Sequence, residues 1–213
     1  MMNKDGYFSD DGRTFTINTP RTPRHWYNYL WNEHYVSLMS QVGQGESFSQ
    51  DKMGNRIPLV ATRMLFLQDA ETGKFWSLNG LSRQDTQLEY HCIHSLGSST
   101  ISLQHDDIST MWRVFVPRDE RAEIWTLTLT NHGNQARQVH IFPVVDTLID
   151  GATKPQAYYM SRGYWDTNSQ AVVVRADCDF DGANRAYNFM MSDCPTLGYD
   201  SNERAFIGYG TWQ

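Results

Sequence analysis

The sequence predicts an all-β fold, a large antiparallel β-sandwich, and three observations carry that expectation. Apolar and polar residues alternate with period two through most of the chain, as strands with one buried face require. Turn signals built on Gly, Asn and Asp interrupt the alternation at close intervals, which is the rhythm of a sandwich. No segment sustains an apolar stripe at i, i+3, i+4. The nearest approach to a helix is Tyr27–Tyr35, at most a short turn of one.

Taken in order, Tyr7–Phe8 and Thr14–Ile17 flank Asp10-Asp11-Gly12 and read as a hairpin. Thr19–Tyr35 follows, the densest stretch of the chain, with Trp26, Tyr27, Tyr29, Trp31 and Tyr35 behind Pro20, Arg21, Pro23 and Arg24. The prolines fix φ and remove backbone donors, so this stretch reads as extended and irregular. Val36–Ser40 and Glu46–Ser49 flank Gly43-Gln44-Gly45, a second hairpin. Met64–Leu67 and Phe75–Ser77 flank Asp69–Gly73, a third. Gln87–His94, Ser99–His105 and Met111–Val116 form a run broken at Gly97-Ser98-Ser99 and Asp106-Asp107.

In Ile124–Thr130, Trp125, Leu127 and Leu129 alternate with threonines, one face apolar and one polar. Asn131-His132-Gly133-Asn134 turns the chain, and Arg137–Val145 is expected to return along it as a paired strand. Pro143 there marks a bulge or an edge. Later strands are expected at Tyr158–Met160, Ala171–Ala176, Ala186–Ser192 and Ala205–Tyr209. The chain stops directly after the strand-like, aromatic run Phe206–Gln213, which reads as a sandwich ending short of its last element.

Composition narrows the function. At 213 residues, 40% apolar and 13% aromatic, there is material for one sizeable core. The net charge of −6 and scattered basic residues offer no patch for nucleic acid phosphates. No run is long enough to span a bilayer, and Met1–Gly6 lacks the apolar region of a secretory signal. Cys92, Cys178 and Cys194 are odd in number and widely spaced, which fits reduced thiols in a cytoplasm.

Several residue groups carry possible chemistry. His91-Cys92-Ile93-His94 has no standard zinc spacing, and in a strand Cys92 and His94 share a face that His91 does not. Gly43-x-Gly45 lies between strands, so it reads as a hairpin turn and not a phosphate loop. Asp106, Asp107, Asp119, Glu120, Glu123, Asp146 and Asp150 supply carboxylates, but a glycosidase needs a pair at a set separation, and most of these sit near turns. The remaining constellation is Arg21, Arg24, Trp26, Asn28 and Tyr29. Aromatic rings cover the apolar faces of a pyranose, and Arg and Asn donate to its hydroxyls. By residue type alone these positions suit sugar contact, core packing or an interface.

The same residues carry a resemblance. Asn18-Thr19-Pro20-Arg21-Thr22-Pro23-Arg24, followed by Trp26-Tyr27-Asn28-Tyr29-Leu30, resembles the N-terminal signature of glycoside hydrolase family 94, formerly glycosyltransferase family 36. That family holds cellobiose- and chitobiose-type phosphorylases and cyclic β-1,2-glucan synthases. Asp5–Ile17, Leu67–Ser77 and Val114–Asn131 resemble further family segments in family order. One position departs: the family carries proline directly before the tryptophan, and this chain has His25, which loosens the backbone there.

The resemblance implies a galactose-mutarotase-like super-sandwich, followed in such proteins by a helical linker and an (α/α) barrel. That barrel holds the single catalytic acid, so residues 1–213 would form an incomplete N-terminal sandwich with no catalytic residue. It implies inverting phosphorolysis of a β-glucoside by the parent protein, with inorganic phosphate as co-substrate and no other cofactor or metal. It implies a β-linked glucose oligosaccharide as ligand, with Arg24, Trp26, Asn28 and Tyr29 as candidate contacts. It also implies a homodimer in which the sandwich packs against its partner. A free-standing carbohydrate-binding module and the sandwich of a cyclic β-1,2-glucan synthase are the alternative readings.

Overall fold

The alternating pattern resolves into stacked antiparallel sheets. The computed structural model describes residues 5–50, 56–80, 89–147, 161–176, 187–201 and Phe206. Among them the first sheet has six strands: β1 (Gly6–Phe8), β2 (Thr14–Ile17), β8 (Glu89–Ser95), β9 (Ser99–His105), β10 (Ile108–Phe115) and β11 (Ile124–Asn131), side by side in that order. The second runs β12 (Val139–Thr147), β6 (Arg56–Asp69), β5 (Gln44–Gln50), β4 (Tyr35–Ser40) and β3 (Tyr27–Trp31), with β7 (Phe75–Ser77) also paired to β6. A small third sheet joins β13 (Ser161–Asp166), β14 (Ala171–Ala176) and β15 (Tyr187–Met191). It is tied to β6 where the Asn188 amide donates to the Leu59 carbonyl at 3.0 Å.

Period-two alternation explains the core. Tyr90 and Cys92 of β8, Ile101 and Leu103 of β9, and Ile108, Trp112 and Val114 of β10 all point inward. They meet Leu30, Met39, Leu65, Leu67 and Trp76 from the second sheet. Each such side chain, fully buried, contributes roughly 1.5–3 kcal/mol of transfer free energy. Trp125, Leu127 and Leu129 of β11 pack on the margin of this core, with the intervening threonines outward, as their alternation requires.

The first hairpins form as the turn signals predict: β1 with β2, β4 with β5, and β6 with β7. So does the meander β8–β9–β10. Two expectations are corrected. Tyr27–Tyr35 is no helical turn; it is β3 running through a tight turn into β4. Its aromatic residues favour a strand, and the Asn32 side chain makes the turn by accepting from the backbone N–H groups of His34 (2.7 Å) and Tyr35 (2.8 Å).

The second correction concerns β11 and β12. They do not pair; β11 pairs β10 in the first sheet and β12 pairs β6 in the second. The turn at Asn131–Asn134 is real, but afterwards Arg137 is bound by Asp69 at the end of β6 and Gln138 O accepts from Ala70 N–H. Those contacts take the chain across the sandwich. Pro143 sits on β12 at the edge of the second sheet, as a residue without an N–H should. The β14 and β15 strands match their expected positions closely. The strand expected at Tyr158–Met160, most of the one at Ala205–Tyr209, Asp150 and Cys178 lie outside the described residues.

Candidate functional site

The proline–arginine segment and β3 are positioned from behind by buried polar groups. Gln41, at the end of β4, is buried. Its side-chain oxygen accepts from the Trp26 backbone N–H at 3.0 Å, and its amide donates to Pro20 O at 3.2 Å and to Thr22 Oγ1 at 2.6 Å. The buried Tyr90 hydroxyl donates to the Gln41 carbonyl. Thr22 Oγ1 in turn donates to Arg24 O at 2.6 Å. Gly80 closes the same space: a Cβ there would sit 2.7 Å from Pro20 Cβ. One glutamine thus satisfies backbone groups that the prolines and the irregular path leave without sheet partners.

A second set of contacts ties β3 to the first sheet. Asn28 points inward, and its amide donates to Ser95 O (2.7 Å), Ser98 O (3.3 Å) and Ser99 Oγ (3.1 Å) in the β8–β9 hairpin. Beside it, His94 Nε2 lies 3.1 Å from Trp26 O, and Nδ1 lies 2.9 Å from Ser99 Oγ. A carbonyl only accepts, so the His94 proton sits on Nε2 and Ser99 donates to Nδ1. Burial pushes the His94 pKa down, opposed by the bond to the Trp26 carbonyl.

These contacts decide what each sequence candidate faces. Trp26 is half-buried, its ring 5.4 Å from Phe15 and packed on the core margin. Asn28 also faces the sandwich. Arg24 is exposed. Tyr29 is 60% exposed, and alternation places Tyr27 and Trp31 beside it on the same outward face, 45% and 69% exposed. The structure therefore brings Arg24 and Tyr29 to the surface and sets Trp26 and Asn28 behind them. Gln41 carries no local sequence signal, because Trp26 lies 15 residues away; His94 stands in the His91–His94 group, but its bond to the Trp26 carbonyl spans 68 residues.

Another polar cluster lies between the main sheets. Arg63 of β6 is fully buried against Glu123, which enters β11, with Nε 2.5 Å from Oε1 and Nη2 2.8 Å from Oε2. Its Nη1 donates to Leu38 O and Gly45 O, and Nη2 to Ser37 and Ser47. Glu123 also accepts from Trp125 Nε1 at 2.9 Å, Ser37 at 2.8 Å and Ser47 at 2.9 Å. Burial alone would raise the Glu123 pKa; the Arg63 charge and these hydrogen bonds outweigh it and hold the carboxyl below the usual range. All three guanidinium nitrogens are engaged within the protein, so this pair clamps the sheets.

The other sequence candidates separate. Asp106 pairs with Lys74 at 2.6 Å in exposed turns, and Asp119 and Glu120 are exposed. His91 faces outward near Asn18 while Cys92 and His94 face the interior. Among the described residues, no group of three or more His, Cys, Asp or Glu side chains could hold a metal ion. Among them, too, no helix is long and apolar enough to cross a membrane.

Comparison with known proteins supplies the decisive observation. The family profile described as "Glycosyl hydrolase 94, supersandwich domain" matches residues 13–213. The chain belongs to glycoside hydrolase family 94. Within this family it is 36% identical over 214 residues to a 3-O-beta-D-glucopyranosyl-beta-D-glucuronide phosphorylase of Paenibacillus borealis, covering 95% of this chain and 26% of that protein. It is 28% identical to the solabiose phosphorylase of the same organism, covering 96% of this chain and 28% of the relative. It is 24% identical to the cyclic beta-(1,2)-glucan synthase NdvB of Rhizobium meliloti, over 98% of this chain and 8% of that protein. The chain thus spans 26–28% of the length of these two phosphorylases. The antiparallel sheets of the described residues agree with the supersandwich description.

Proposed function

We propose that this family 94 supersandwich is the carbohydrate-binding and dimerising part of an inverting β-glucoside phosphorylase, with no chemistry of its own. The observation that carries this reading is that phosphorylases named for different sugars match the chain almost end to end, yet only over about a quarter of their own length. What they share here is a scaffold that serves varied substrates. In the parent reaction one carboxylic acid outside these residues protonates the leaving oxygen while inorganic phosphate attacks the opposite face. Phosphate replaces the base-activated water of an inverting hydrolase, so one carboxyl suffices.

On this reading Arg24 and Tyr29 face the saccharide or a second subunit, while Trp26 and Asn28 fix the segment behind them. We place the protein in the cytoplasm, a reading supported by free thiols at Cys92 and Cys194. The isolated chain, incubated with phosphate and cellobiose, laminaribiose or sophorose, is expected to release no sugar 1-phosphate; measurable turnover overturns the proposal. The match to NdvB favours one second reading, the sandwich of a cyclic β-1,2-glucan synthase. Expression of the full open reading frame separates the two: the first reading expects sugar 1-phosphate from a β-glucoside and phosphate with no polymer, and the second expects a cyclic β-1,2-glucan product.

A further inference from the structure

The outward face of β3 carries Tyr27, Tyr29 and Trp31, alternate residues of an edge strand, 45%, 60% and 69% exposed. Strand geometry spaces them at about 7 Å, the scale of one pyranose ring per side chain. Opposite them on β4 lie Ser40, Leu38 and Val36, the last two half-buried. The surroundings are polar: Arg24, His25, Glu33 and His34 are all exposed. The result is a strip one side chain wide.

Its size decides between occupants. At about 200 Å² per ring, these three exposures amount to roughly 350 Å² of aromatic surface. A stable protein interface takes about 800 Å² from each partner. The three rings alone supply less than half of such an interface, while their spacing suits a row of sugar rings. Stacking would use the faces of the three rings, and the two phenol hydroxyls would meet ring hydroxyls at the rim. The backing is rigid, because Asn28 and Leu30 between the aromatics are anchored in the sandwich.

We infer that Tyr27, Tyr29 and Trp31 form a platform for a β-linked gluco-oligosaccharide. The inference rests on the carbohydrate-binding reading above and assigns it to this face. It is tested by titrating the purified chain with β-1,4-, β-1,3- and β-1,2-linked glucose tetramers, with maltotetraose as α-linked control, using calorimetry and tryptophan fluorescence. Saturable binding to a β-linked tetramer is expected, weakened about tenfold or more by Trp31→Ala and by Tyr29→Ala, and less by Tyr29→Phe, which keeps the ring and loses only the hydroxyl. Thermal melts confirm folding of each variant, and sedimentation equilibrium is expected to be unchanged. Binding that survives the triple alanine variant removes the platform and leaves the carbohydrate reading standing. No binding by the wild-type chain overturns both. A changed association constant with unchanged sugar affinity overturns the platform in favour of a second copy.

Discussion

His94 bonds two oxygens at once, and its protonation state sets whether both bonds hold. Its folded pKa is depressed, so as pH falls through about 6.5 the unfolded chain takes up a proton that the folded imidazole still refuses. In that window the unfolded state binds more protons, so stability falls as pH falls. Thermal melts from pH 7.5 to 5 are expected to show a declining midpoint, and His94→Gln to flatten that slope. An unchanged slope would exclude His94 as its source. At pH 7.5, His94→Ala is expected to cost about 1–3 kcal/mol in urea denaturation, since the Trp26 carbonyl and Ser99 hydroxyl lose a buried partner.

The β4–β5 connection shows how one residue constrains an element. Gly45 has φ +132°, and a Cβ there would run into the Leu38 carbonyl, the same oxygen that accepts from Arg63. Gly73, in the turn between β6 and β7, has φ +70° but open space around it. Alanine at Gly73 is expected to cost about 1 kcal/mol, the ordinary penalty of a left-handed residue. Alanine at Gly45 is expected to cost more, about 1–3 kcal/mol from backbone strain plus the disturbed guanidinium contacts. Urea denaturation of the pair checks the order; equal losses would show that the β4–β5 turn relaxes freely. The neighbouring end of β6 is acid-sensitive. Backbone bonding from Thr72, and then Arg137 against the opposing effect of burial, hold Asp69 at about 2, so its support is present above the ordinary carboxylate range and lost as pH falls toward 2.

Across the whole molecule, the Arg63–Glu123 pair joins sheets whose strands come from distant parts of the chain. Glu123→Gln leaves Arg63 buried without a counter-charge and is expected to cost about 3–5 kcal/mol. The double variant Arg63→Met, Glu123→Leu is expected to recover stability relative to either single change, as apolar replacement of a buried pair commonly does. A double variant no better than the singles would mean that the serine and carbonyl partners matter more than the charges. Turn chemistry made the hairpins at Asp10–Gly12 and Gly43–Gly45 legible, and alternation made the inward face of β11 legible. Neither could show that the turn at Asn131–Asn134 sends the chain to the other sheet, because that depends on Arg137 reaching Asp69, 68 residues away. Glu123 looked like one carboxylate among several near a turn for the same reason: its partner Arg63 is 60 residues distant. In the candidate site, residue types marked Thr19–Tyr35, but which rings face outward followed only once Tyr27–Trp31 was a strand.

The free thiols offer a clock for the opening of the sandwich. Cys92 is fully buried beneath the sheets, and burial pushes its thiol pKa up, while Cys194 is free and exposed. Thiolates are the reacting species, so a maleimide meets Cys194 at once and Cys92 only when β8 separates from the second sheet. In a Cys178→Ser background, labelling followed by mass spectrometry should add one tag quickly and a second at the pace of unfolding. The slow phase would report how long the two faces stay together, without any label engineered into the chain.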